Sequence, residues 1–335
     1  MGTRLRVLVT GGAGYVGCHC VRALCETGHE VTVCDDLSTG HAAAIDQRAG
    51  FVKASLADVA TLERTVAGGR FDAVMHFAAS LDVNESVRNP MKYYENNITN
   101  TINLLKAMQA QGVKRLVFSS SCATYGVPSE IPIPENARQE PISPYGRTKL
   151  AVEWALRDSA RSWGLGSCAL RYFNAAGAAS DGTLGEDHDP EIHLIPVALQ
   201  VALGQRERIM IYGTDYPTRD GTCLRDYIHV EDLASVHLLA LESQEPGRFR
   251  AYNVGTGAGT TVKEVLDAAR RVTGHPIAAA EAERREGDPP ALYANASKLT
   301  EELGWHPRHS RIHEIIETAW RWHRSHPGGY GDDSK

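Results

Sequence analysis

The first half of the chain switches repeatedly between two hydrophobic periods. The runs RLRVLVT (4–10), HEVTVCD (29–35), FDAVMHFAA (71–79), VKRLVFSSS (113–121) and GSCALRYFNAAG (166–177) are apolar along most of their length. Continuous apolar runs of that length predict strands buried on both faces. Between them the apolar positions recur at helical spacing, as at 15–27 and in LAVEWAL (150–156). This rhythm predicts a doubly wound α/β fold: a Rossmann-type parallel sheet with helices on both faces.

After Asn174 the pattern changes. Residues 175–193 are rich in Gly and Asp with little periodicity, and 215–234 are polar and turn-rich. Residues 193–204 read as a helix, 209–213 and 251–257 as short strands, and 312–326 as an amphipathic helix carrying Trp320 and Trp322. The expected division is a nucleotide-binding lobe over 1–174, joined by 225–256, with a smaller α/β lobe formed by 175–224 and 257–330. Ligands of such sheets bind beyond the carboxyl ends of the strands.

The bulk properties narrow the function. The 335 residues are 42% hydrophobic and 23% charged, with net charge −6 and no basic stripe, so no nucleic-acid partner is expected. No apolar run approaches the length that spans a bilayer, and a strand and glycine turn open the chain without a signal peptide, so no membrane partner is expected. The spacing of the seven cysteines fits neither a disulfide framework nor a zinc site, which points to reduced thiols and a cytoplasmic location. The fourteen histidines include no His–acid pair at helical metal spacing, and no metal is expected.

Two motifs carry chemistry. TGGAGYVG places Gly11, Gly14 and Gly17 between a strand and a helix, where glycine allows a tight turn, close backbone approach to a pyrophosphate, and close helix–strand packing. Asp35 ends the next strand, 18 residues after Gly17, where a carboxylate takes ribose hydroxyls and repels a 2′-phosphate, favouring NAD over NADP. The second motif, SPYGRTK (143–149), opens a helix: Ser143 suits the cap and Pro144 the first turn. Tyr145 and Lys149, four apart, then share one face. A phenol is a poor base at neutral pH unless a nearby positive charge favours the phenolate, and Ser121, at the end of a strand, can steady the same oxygen.

With these motifs in place, TGGAGYVG, HFAA, FSSSCATYG, SPYGRTK and RYFNAAG resemble the extended short-chain dehydrogenase/reductases. GEDHDPEIHLIP, DYPTRDGTCLRDYIHVEDLA, YNVGTGAG, RREGD and WRWHRSHPGGY further resemble the UDP-glucose 4-epimerase branch, over nearly the whole chain. That resemblance implies reversible C4 epimerisation of UDP-galactose and UDP-glucose through a 4-keto sugar, with tightly held NAD, in a homodimer paired through helices near Asn96 and Val152. It implies catalytic roles for Ser121, Tyr145 and Lys149, with Lys149 binding the nicotinamide ribose and lowering the Tyr145 pKa. It places Tyr15, Val16, Asp35, Asp36, Leu37, Ser38, Thr39, Gly40, Ser55, Leu56, Phe77, Ala78, Ala79, Leu81, Asn96 and Phe173 at the cofactor, beside the three glycines. On the UDP-sugar it places Asn174, His193, Leu194, Tyr212, Arg225, Arg285, Asp288 and Leu292. Two arginines in turn-rich loops also suit a diphosphate on chemistry alone.

The chain departs from the family at Ala54-Ser55, where members often carry Gly-Asp at the adenine edge, and at Leu81, where some carry lysine. Leu292 occupies the position that gates sugar size, so N-acetylated UDP-sugars, UDP-pentoses and UDP-uronates stay open as substrates. A nucleotide-sugar 4,6-dehydratase would need an acid pair where Cys122 and Ala123 stand, and no motif supplies a cysteine nucleophile facing the sugar C6 for dehydrogenation to a uronate. A non-catalytic NAD-binding sensor usually lacks the Tyr or the Lys, and both are present.

Overall fold

The computed structural model describes residues 4–285 and 288–331. Its main sheet contains β1 (Arg6–Thr10), β2 (Glu30–Asp35), β3 (Gly50–Lys53), β4 (Ala73–His76), β5 (Arg115–Ser121) and β6 (Gly166–Tyr172). The second half adds β7 (Asn174–Ala176), β8 (Ile209–Tyr212), β9 (Leu224–Arg225), β10 (Tyr227–His229) and β11 (Phe249–Val254). It ends with β12 (Thr260–Thr261), β13 (Ala279–Ala282) and β14 (Ala291–Leu292).

Strand order in the main sheet is β11-β6-β5-β4-β1-β2-β3, and every pairing is parallel. The chain winds outward from β1 through β2 to β3, then returns to β4 on the other side. The switch point therefore lies between β1 and β4, and a crevice opens beyond their carboxyl ends. Alternate strand residues serve opposite faces. Val7 and Val9 pack with Val21 and Leu24 of α1 (Tyr15–Glu26), while Leu8 packs with Leu62 of α2 (Val59–Gly69). A third core joins Leu199, Ile211, Leu266 and Ile316 beneath the smaller lobe.

The expected doubly wound sheet is present, with three differences in detail. The run 166–177 is two strands, because β6 ends at Tyr172 and β7 turns away from the sheet to pair with β10. Phe173 and Asn174 sit at that break, beyond the carboxyl end of β6. The short strand β14, which no period in the sequence marks, pairs with β9. The four-residue β3 extends the sheet beyond β2, with Phe51 exposed. Among the described residues, no helix is long and apolar enough to cross a membrane.

Candidate active site

One cleft of about 1760 Å³ runs across the carboxyl ends of the main sheet. All the residues named above for catalysis, cofactor and substrate line it, except Leu37 and Lys149. Residues more than 280 positions apart are thus brought to one place by the switch in strand order.

The glycine turn forms the floor. Gly11 has φ +75°, and an added Cβ would stand 2.4 Å from the Ala78 nitrogen. At Gly17 an added Cβ would stand 2.1 Å from the Gly11 carbonyl oxygen. Gly14 differs: its φ of −80° is ordinary, and the nearest atom to an added Cβ is Gly11 O at 3.5 Å. The chain's own packing does not require glycine there, whereas a ligand approaching the backbone would. Gly14 also gives α1 no side-chain cap, so the helix's first N–H groups are not taken by a capping side chain.

Asp35 ends β2 with its carboxylate folded back. Oδ2 accepts from Ala13 N at 3.0 Å and Oδ1 from Leu37 N at 2.9 Å. Burial pushes its pKa up, and these two N–H donors oppose that push. The second bond holds Leu37 at φ +61°, an uncommon conformation for a side chain of that kind. Ser55 Oγ accepts from Ala57 N at 3.3 Å, which occupies part of its hydroxyl's capacity. Asn96 lies in a π-helical turn over Tyr94–Thr99 and donates to Ser80 Oγ at 3.0 Å. Its neighbour Asn97 bonds both Ser80 N and Thr148 Oγ1, tying this wall to the helix that carries Tyr145.

That helix, Pro144–Trp163, starts as SPYGRTK predicts. Ser143 Oγ accepts from Gly146 N at 3.1 Å, and Pro144 opens the first turn. Tyr145 lines the cleft together with Ser121, whose hydroxyl acts on the phenol. Ser121 Oγ already accepts from Ala123 N at 3.1 Å, leaving its proton available to the phenolic oxygen. Burial pushes the Tyr145 phenol up to about 12; the Ser121 bond pulls it down and the Cys122 thiol pushes it further up.

Lys149 is buried beside this pair. Its Nζ donates to the Ser119 carbonyl at 2.8 Å and stands 5.7 Å from the Tyr145 ring centroid. Burial holds Lys149 itself down to about 7.

A buried network behind these residues has no signature in a single motif. Glu153, one turn beyond Lys149, accepts from Ser120 Oγ at 2.6 Å and from Arg171 Nε and Nη2 at 2.9 and 2.6 Å. Arg171 also reaches Tyr125, whose hydroxyl donates to Asn253 Oδ1. The network links the strand end bearing Ser121 to the helix bearing Tyr145. Its five members span positions 120 to 253, so only the fold assembles them.

At the far end of the cleft the arginines are engaged. Arg225 Nη1 donates to the carbonyls of Leu224 and Pro289, and Nη2 lies 3.5 Å from Asp288. The loop thus folds back on Arg225. Arg285 lies over the Tyr212 ring at 4.0 Å, its guanidinium face on the aromatic face. Leu292 packs with Tyr125, Ile133, Phe173 and Ala294 at the pocket wall. Asn174 Nδ2 donates to Asp226 O at 2.9 Å. Leu194 begins the helix Leu194–Ala202, with His193 at its N-cap. Glu286 and Gly287 of RREGD lie outside the described residues.

Residues 7–255 match the family model described as "NAD dependent epimerase/dehydratase family". The chain belongs to that family. Its members include a UDP-glucose 4-epimerase of Halalkalibacterium halodurans, to which it is 49% identical over 99% of both chains. It is also similar to the UDP-glucose 4-epimerase from Brucella ovis solved in complex with NAD, with TM-score 0.90, 49% identity, and 94% and 97% of the two chains covered. The UDP-glucose 4-epimerase from Bifidobacterium longum in complex with NAD+ and UDP has TM-score 0.93, 38% identity, and 97% and 99% coverage. The epimerase/dehydratase fold thus carries a glycine turn free of side chains at Gly14 and an acid at Asp35, and both suit a dinucleotide.

Proposed function

We propose that the chain interconverts UDP-galactose and UDP-glucose at C4, holding NAD between turnovers. The observation that carries this reading is the joining, in one cleft, of the Ser121–Tyr145 pair with the Gly14 turn at one end and Arg225, Arg285 and Asp288 at the other. The names of the relatives, similar over nearly their full length, support it.

Each end of the cleft has a task. Gly14 and the first N–H groups of α1 would hold the pyrophosphate of NAD, and Asp35 a ribose. When bound, NAD supplies the hydride acceptor and donor and a positive ring charge beside the phenol. Tyr145 takes the proton from the sugar 4-hydroxyl and later returns one to the same oxygen, with the Ser121 O–H steadying that oxygen as charge develops. At about 12, with the effect of Ser121 already included, the phenol needs a neighbouring cation before it is a competent base at neutral pH. Lys149, fixed on the Ser119 carbonyl, supports the strand end and holds a ribose with its remaining donors. Arg225 and Arg285 bind the diphosphate as Asp288 moves from Arg225 to the uridine ribose, and Tyr212 lies beside the base. An anchored nucleotide leaves the 4-keto sugar free to turn its other face to the hydride.

The proposed assembly is a homodimer in the cytoplasm. Ile102 and Trp154 are exposed on the two helices Asn100–Gln111 and Pro144–Trp163, an apolar face suited to a second copy. All seven cysteines are free thiols, as a reducing compartment allows. The domain division proposed is the one read from the sequence, with β11 placed on the main sheet.

The test is incubation of purified protein with UDP-galactose and no added cofactor. UDP-glucose should form, and sedimentation of the same preparation should give a dimer mass. Absence of product even with NAD supplied overturns the activity; a monomer mass overturns the assembly alone.

A further inference from the structure

The cleft lining carries a second cluster of side chains, of which only His193 has been given a task above, at the UDP-sugar. Glu186, His188, Glu191 and His193 fall within eight residues of the loop that precedes the helix Leu194–Ala202. One ligand atom from each lies within 4.8 Å of all the others. His193 Nδ1 is 2.9 Å from Glu186 Oε1 and 2.9 Å from Glu191 Oε1. His188 Nδ1 is 3.3 Å from Glu186 Oε1 and 3.6 Å from Glu191 Oε2. A tetrahedral Zn²⁺ with bonds of about 2.0–2.1 Å has ligand–ligand edges of about 3.3–3.4 Å. The observed separations of 2.9–3.6 Å lie around that edge, those to Glu191 being taken to its two different oxygens.

Two further observations separate this cluster from a chance gathering of ion pairs. His188 Nδ1 is fully buried and has no hydrogen-bond partner: the Glu186 oxygen is near, but outside hydrogen-bond geometry. Glu191 Oε1, in contrast, is fixed from behind by the backbone N–H groups of Ile192 and His193, both at 2.8 Å, which is the support a ligating carboxylate receives. A second gathering, His229 with Glu231 and His309, fails the same examination. There His229 Nδ1 accepts from Glu231 N, and Nε2 bonds Thr318 Oγ1, so no lone pair is left for a metal.

We propose that Glu186, His188, Glu191 and His193 form a closed, four-coordinate site for one divalent transition metal of the Zn²⁺ class. Two imidazoles and two carboxylates suit that class, and the carboxylates balance the charge of the ion. The sequence expectation of no metal rested on helical spacing; these ligands are in a loop, as E-x-H-x-x-E-x-H. The site has a mechanical role. The loop's apolar anchorage is small, Ala179 and Leu184 packing on Cys18 and Ala44. A metal would clamp it beside Tyr15, whose ring lies 6.4 Å from His188, and at the start of the helix that presents Leu194 to the cleft.

The test uses the full chain without a histidine tag, stripped with a chelator and titrated with Zn²⁺ and then with Co²⁺. One Zn²⁺ per chain should remain after gel filtration, Zn²⁺ should raise the melting temperature, and Co²⁺ should give the visible bands of a four-coordinate oxygen–nitrogen site. Retention of no metal, a six-coordinate Co²⁺ spectrum, or the near-ultraviolet bands of thiolate ligation each overturns the proposal. The double variant E186Q/H188Q should bind on the order of 100-fold more weakly, and E231Q should bind as the unaltered chain does. Equal binding by E186Q/H188Q, or loss confined to E231Q, also overturns it. The Co²⁺ spectrum of the unaltered chain decides the question even if the double variant fails to fold.

Discussion

Burial keeps the Tyr145 phenol at about 12 even with Ser121 beside it, too high for a base at neutral pH. The Ser121 hydrogen bond is the one protein contact working the other way. Tyr145→Phe removes the proton carrier while keeping the ring that packs the cleft wall. We expect it to retain bound NAD, read from the nucleotide released on denaturation, and to lose about 10²–10⁴-fold in turnover. Full activity in this variant would move the base to another residue. The i, i+4 spacing of Tyr145 and Lys149 was legible in SPYGRTK because a helix fixes which side chains share a face. The partner of Lys149 was not, since the Ser119 carbonyl arrives from a different strand. For the same reason Glu153 and Arg171 carry no local sign of their buried pairing, although removing either partner would leave a charge buried alone.

At the scale of elements, the turn from β1 into α1 shows three glycines retained for different reasons. Gly17→Ala would drive a methyl against the Gly11 carbonyl, and neither backbone can yield without separating helix from strand. Gly14→Ala meets nothing closer than 3.5 Å and keeps an allowed backbone. The two substitutions should therefore separate. Gly17→Ala is expected to destabilise the protein with or without NAD by about 1–3 kcal/mol, as core overpacking does, and so to lower its melting temperature. Gly14→Ala should leave the melting temperature of NAD-stripped protein within about 1 kcal/mol of the unaltered chain, yet reduce the NAD content on purification. Equal loss of stability in both would mean that Gly14 serves packing and not a ligand. The long apolar strands and the capped helices were readable because each satisfies its backbone and periodicity locally. The two-residue strands β9, β12 and β14 were not, because their identity lies in pairing between segments that only the fold brings together.

The whole molecule sets the protonation of its histidines. His19 on α1, His76 on β4 and His237 on the helix Val230–Glu242 look unremarkable in the sequence, and all three are buried. His76 lies between Thr10 Oγ1 at 2.7 Å and Thr101 Oγ1 at 2.8 Å; Thr101 spends its proton on Asn97 O, so the ring is neutral, donating from Nε2. His19 and His237 each bond a helix carbonyl through Nδ1 and leave Nε2 buried without a partner. Burial lowers their pKa values to about 4 for His19, 3 for His76 and 4 for His237. Their unfolded value is about 6.5. Between about pH 6.5 and 4 the unfolded chain therefore binds more protons than the folded one, by up to three. Stability then rises with pH across that window and is lost as pH falls through it, by up to about 4 kcal/mol per pH unit. Urea unfolding should show a clearly lower midpoint at pH 5 than at pH 7. His237→Leu replaces the ring with an apolar side chain beside Phe77 and Tyr172. It should remove close to one proton from the slope, so that the variant gains on the unaltered chain by about 1–2 kcal/mol between pH 7 and pH 5. An identical pH dependence in the two proteins would show that His237 takes up its proton without unfolding, and that the lobe admits water around it.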